Sequence, residues 1–91
     1  MSDTPSPEFS GLEGEMEQQA FDIVRDVVSR YNTELIAERR APVPDEERVE
    51  VLKAGRQAAL EDQRHLEYAD PQETARIAAA YAARLNELKR S

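Results

Sequence analysis

The stretch EMEQQAFDIVRDVVSRYNTELIAERRAPVP, residues 15–44, decides how the chain folds. At 100° per residue, Met16, Ala20, Phe21, Ile23, Val24, Val27, Val28, Tyr31 and Leu35 fall on one arc of roughly 160°. That arc is too wide for a two-helix seam and suits a helix touching two neighbours. Early acids (Glu15, Glu17) and late bases (Arg39, Arg40) complement the helix dipole. Val24, Val27 and Val28 lower the intrinsic propensity, so packing must hold the helix together. Pro42 disfavours helical geometry at Ala41 and ends it. Pro44 suits the first turn of whatever follows.

Working outward, residues 45–69 read as a second helix, with Asp45, Glu46 and Glu47 at its positive end. Its main apolar arc holds Val51, Leu52, Gly55, Ala58, Ala59 and Leu66, while Val49 and Leu60 point elsewhere. A glycine inside a helix costs about 1 kcal/mol relative to alanine. Gly55 on the inner arc therefore predicts close approach of another helix. Asp70-Pro71-Gln72-Glu73 is a cap, a first-turn proline and a variant capping box. Residues 71–90 follow as a third helix with Thr74, Ile77, Ala78, Tyr81, Leu85 and Leu88 on one face. The expected fold is all-α, an antiparallel three-helix bundle over residues 15–40, 45–69 and 71–90. Residues 1–14, with two prolines and two glycines, read as a flexible tail whose apolar anchors are Phe9 and Leu12. Residues 15–91 form a single domain.

The chain has 91 residues, 19 acidic and 12 basic side chains, and a formal charge of −7. Such a surface repels phosphate backbones, so direct nucleic-acid binding is not expected. The sign is uneven: residues 45–70 hold eight acids and four bases, residues 71–91 two acids and four bases. The absence of cysteine excludes disulfides and thiolate metal sites and fits a cytoplasmic protein. No apolar run reaches the roughly 18 residues of a membrane span, and the acidic start is unlike a secretory or transit leader.

EDQRHLEYADP, residues 61–71, holds the single histidine. Asp62 and His65 stand three apart on the second helix and are the candidate metal ligands. A carboxylate and an imidazole at that spacing can share an ion in a helical bundle. A homodimer would have to supply the second copy, with Glu34 or Glu38 adding ligands. The alternative is structural: His65 sits in the last turn, where the dipole and Glu61 favour a cation. Asp62 lies inside the small-residue arc, which predicts a polar partner such as Tyr31, Tyr81 or an arginine. No nucleophile accompanies His65, so no catalytic residue and no cofactor is expected.

The expected function is a small acidic, non-enzymatic interaction module: a dimeric subunit, adaptor or regulator. Phe21, Val24, Val28, Leu35, Val51, Gly55 and Leu66 are its candidate interaction residues, with a second copy as the favoured partner. Val28→Asp is accordingly expected to disturb assembly more than Val49→Asp. One alternative is an acidic mimic of nucleic acid occupying a basic groove; another is the metal-binding bundle across a dimer. LIAERRAPVPDEER, residues 35–48, resembles the end of helix one and the linker of the all-helical chorismate mutases, which are three-helix dimers. That resemblance implies mutase activity as a further alternative. The chain departs from that family's pattern: its Gly-Lys-rich segment is missing, and Asp22 stands where its first-helix arginine falls. A dianionic substrate would lack its clamp.

Overall fold

The computed structural model describes residues 6–90, with side chains from Gly14 onward. It consists of three helices, α1 (Ser6–Arg40), α2 (Glu46–His65) and α3 (Pro71–Arg90). No strand occurs among the described residues. Arg48 at the start of α2 reaches Glu34 and Glu38 near the end of α1, so the first two helices run antiparallel. Both α2 and α3 pack along α1, whereas the backbones of α2 and α3 barely approach one another. The molecule is thus a three-helix bundle with α1 as its spine and one side left unclosed.

The buried stripe of α1 is Ala20, Val24, Val27, Tyr31 and Leu35, at steps of three and four. Ile23 and Val28 flank it half-buried, while Met16 and Phe21 stay about 40 % exposed, at 41 % and 39 %. The buried arc is therefore narrower than the periodicity suggests, because only the strip of α1 that packs against α2 and α3 is fully dry. From α2 come Val49, Leu52 and Ala59, with Leu66 just beyond its end; from α3 come Thr74 and Ile77. Ala78, Tyr81, Leu85 and Leu88 pack at the edge of this cluster.

Three boundaries and one orientation differ from the sequence reading. First, α1 begins at Ser6 rather than at 15, so the backbone of residues 6–14 is part of the helix. Pro7 falls in the first turn, where its missing N–H breaks no intrahelical bond. Residues 1–5, and the side chains of Phe9 and Leu12, lie outside the described residues. A 35-residue helix is about 52 Å long and a 20-residue helix about 30 Å. The N-terminal turns of α1 therefore overhang the bundle; residues 14–19 are exposed and a Cβ at Gly14 would meet nothing. Second, α2 starts at Glu46, with Asp45 standing outside it as the N-cap. Third, α2 stops at His65, not at 69. The N–H groups of Leu66, Glu67 and Tyr68 donate to Gln63, Arg64 and His65 carbonyls at 3.0–3.3 Å, a tightened turn that lets the chain reverse before Pro71.

The orientation of α2 is the larger correction. Val49, read as pointing elsewhere, is 7 % exposed, and Val51, read as inner, is 64 % exposed. Small residues drew the inferred arc toward α3, but α2 takes its main support from α1 through Val49, Leu52, Ala59 and Leu66. Val49→Asp would consequently strike the fold itself, so it is no neutral control for Val28→Asp.

The linkers are held by side chains. The Asp45 N–H donates to Glu38 Oε2 at 3.0 Å, and the Asp45 carboxylate accepts from the Arg48 N–H at 3.2 Å. At the other turn the Asp70 carboxylate accepts from the Glu73 N–H at 2.8 Å, as the Asp-Pro-Gln-Glu spacing predicts. Asp70→Ala should lower the unfolding free energy by about 1 kcal/mol. Urea denaturation followed by circular dichroism measures it; an unchanged midpoint would show that the cap contributes nothing.

Candidate functional site

The unclosed side is a trough between α2 and α3. It holds a cleft of about 210 Å³ bordered by Gly55, Ala58 and Asp62 on α2 and by Ile77, Tyr81 and Arg84 on α3. Two polar links cross or underlie it. The Tyr81 hydroxyl donates to Asp62 Oδ2 at 2.5 Å, joining α3 to α2. Arg84 Nη1 donates to the buried Tyr31 hydroxyl at 2.7 Å, joining α3 to α1. A tyrosine side chain is long enough to bridge helices whose backbones stay apart. Asp62 thereby obtains the polar partner its position requires.

Gly55 explains how Tyr31 fits. A Cβ on Gly55 would lie 2.6 Å from Tyr31 Cζ and 2.7 Å from its hydroxyl. The ring occupies the space a side chain would need, so the close approach predicted from Gly55 is made by an aromatic ring of α1.

Burial pushes the Tyr81 phenol well above its ordinary value, assisted by the hydrogen bond to Asp62 and by that carboxylate's charge. The folded state then holds its proton longer than the unfolded chain does. Stability from this group is present below the ordinary phenol value of 10.0 and is lost as pH rises above it. Tyr81→Phe should remove that alkaline loss and should cost about 1–2 kcal/mol at neutral pH, because Asp62 loses its donor. Parallel urea titrations at pH 7 and in the alkaline range check both; identical pH profiles for the two proteins would refute the link.

His65 does not join Asp62. Its Nε2 lies 3.8 Å from Glu73 Oε2, across the turn from α2 to α3. Glu73 also pairs with Arg76. The hydrogen bond from Arg76 first, joined by the charges of Arg76 and His65, holds the Glu73 carboxyl below its ordinary value against the opposing effect of burial, which exceeds either charge. Glu34 and Glu38 are turned to Arg48. Among the described residues no group of three or more histidine, aspartate or glutamate side chains gathers in a metal-holding arrangement.

The candidate interaction residues separate into two sets. Val24, Leu35 and Leu66 are 0 %, 2 % and 2 % exposed and are consumed by the chain's own core. Val28 is half-buried, and Gly55 lies against Tyr31. Phe21 and Val51 reach the surface, Phe21 beside Leu66 and Val51 one turn before Gly55 on α2. Ala54, Ala58, Ala80 and Ala83 are also exposed and went unweighed as docking residues in the sequence, although their helical spacing carried the signal. No helix among the described residues is long and apolar enough to cross a membrane.

No protein-family model, curated protein or solved structure matches this chain.

Proposed function

We propose that the chain is a small, non-enzymatic helical interaction module, serving as an adaptor, regulator or subunit, that receives a partner helix in the α2/α3 trough. The observation that carries this reading is the failure of α2 and α3 to close on each other while both pack on α1. Antiparallel helices in a closed bundle sit about 8–10 Å apart. Here the gap is spanned by the Tyr81 side chain instead, and Gly55 and Ala58 border it on α2. A helix laid in such a groove would cover apolar surface that the single chain leaves wet, with charged rims setting its direction. A cytoplasmic setting accords with the absence of cysteine.

The test is a photo-crosslinking amino acid placed at Ala58, in the trough, or at Arg39, remote from it, in the full chain within a native lysate. Discrete adducts from position 58 and none from position 39 are the expected result. Equal, diffuse labelling from both positions would defeat the proposal.

A further inference from the structure

The three helices are not anchored evenly. On α1 the fully buried residues run from Ala20 to Leu35, and on α2 from Val49 to Ala59, with Leu66 just beyond its end. On α3 they stop at Ile77, in the first half of the helix. Beyond it Ala78, Tyr81, Ala82, Leu85 and Leu88 reach only half-burial, and the other residues to Arg90 are exposed.

Open clefts flank this segment on both sides. The cleft of about 210 Å³ toward α2 is bordered by Ala80, Tyr81 and Arg84. A second, of about 230 Å³, lies toward α1, where Leu85 and Lys89 face Arg30 and Thr33. A segment with few buried contacts opens at a lower free energy than the core beside it. Two hydrogen bonds reinforce its half-buried stripe. Tyr81 donates to Asp62 on α2 at 2.5 Å, and one turn later Arg84 donates to Tyr31 on α1 at 2.7 Å. Each has one charged partner, which makes it stronger than a neutral bond. Both partners lie on other helices, so lifting the segment breaks both bonds.

We infer that residues 78–90 form a strap, which comes away as one unit while Thr74 and Ile77 stay docked and α1 and α2 stay paired. Once undocked, a segment of about a dozen residues is too short to hold its helix in water, so release and unravelling go together. The strap is also the α3 wall of the trough, and its release widens the space opposite Gly55 and Ala58. This consequence rests on the reading of the trough as a docking surface. A partner helix is admitted in the released state, and the Tyr81 and Arg84 bonds set how much of that state is present.

Hydrogen exchange of the purified full chain, read amide by amide by nuclear magnetic resonance, tests the strap. Amides of residues 83–88 should share one protection value, about tenfold or more below that of residues 24–31 on α1. Tyr81→Phe should speed exchange in the strap about tenfold or more, because the bond it removes exists only in the shut state. Val24→Ala is the counterpart. Val24 is fully buried two turns before Tyr31, so it stays packed when the strap is released. That substitution should speed exchange of residues 24–31 about tenfold and change the strap by less than about twofold. Protection that falls residue by residue toward Arg90 is ordinary end fraying and overturns the inference. So does a single protection value for all three helices, or a strap that follows the core in Val24→Ala. These readouts need no partner, so their failure leaves adducts from position 58, and the trough reading, untouched. The expected exchange without such adducts removes the trough reading and keeps the strap. Where both appear, Tyr81→Phe should raise the adduct yield; an unchanged yield overturns the strap's control of the trough.

Discussion

Ile77→Asp unfolds the chain. Ile77 is 1 % exposed and belongs to the dry seam between α1 and α3. Removing a buried isoleucine side chain down to alanine costs about 2–5 kcal/mol. An aspartate there adds a carboxylate with no donor waiting for it, and burying an unpaired charge costs several kcal/mol more. A chain of this length has a stability of about 5–14 kcal/mol, so the substitution consumes most or all of it. Ala79→Asp, two residues on and exposed, should change stability by less than about 0.5 kcal/mol. Far-ultraviolet circular dichroism against urea distinguishes the two. A cooperative Ile77→Asp transition displaced by less than about 1 kcal/mol would mean that α3 is not docked as described.

Gly55→Leu should destabilise by about 2–4 kcal/mol, although leucine favours helix by nearly 1 kcal/mol over glycine. The sign follows from space. The new Cβ alone would sit 2.6 Å from Tyr31 Cζ, and the ring is 5 % exposed with its hydroxyl held by Arg84. To admit leucine the ring must swing out, which overpacks the α1–α2 seam and breaks the charged hydrogen bond. Pairing the substitution with Tyr31→Ala isolates the cause. The double variant should lose much less than the two single losses combined, because the smaller residue vacates the contested space. Strict additivity would show that Gly55 and Tyr31 do not compete. An increase in stability for Gly55→Leu would show that helix propensity outweighs packing there.

Local signals were legible where the chemistry is local. Asp70 caps α3 because an aspartate followed by proline satisfies an early N–H group at short range, with no help from distant residues. The breaks at Pro42 and Pro71 are equally local. Gly55 was readable as a close-approach position because glycine inside a helix is otherwise a pure cost. Asp62 was readable as needing a partner, but Tyr81 lies nineteen positions away, and Tyr31 and arginine satisfied the same requirement on paper. Val49 and Val51 were exchanged for a comparable reason. A helix wheel ranks residues around an axis but does not say which of two flanking helices supplies the deeper contact.

From its sequence alone the chain is committed to three helices, to the residues that separate α1, α2 and α3, and to the apolar stripe on α1. Periodicity, proline and capping act over a few residues and need no tertiary context. Only the tertiary structure decided that α2 and α3 both lean on α1 and leave a trough between them. It also decided that Tyr81 bridges that trough to Asp62, and that Val24, Leu35 and Leu66 are spent inside. Those outcomes depend on the distances between whole helices, which side-chain volumes such as the Tyr31 ring against Gly55 set collectively and no short stretch of sequence encodes.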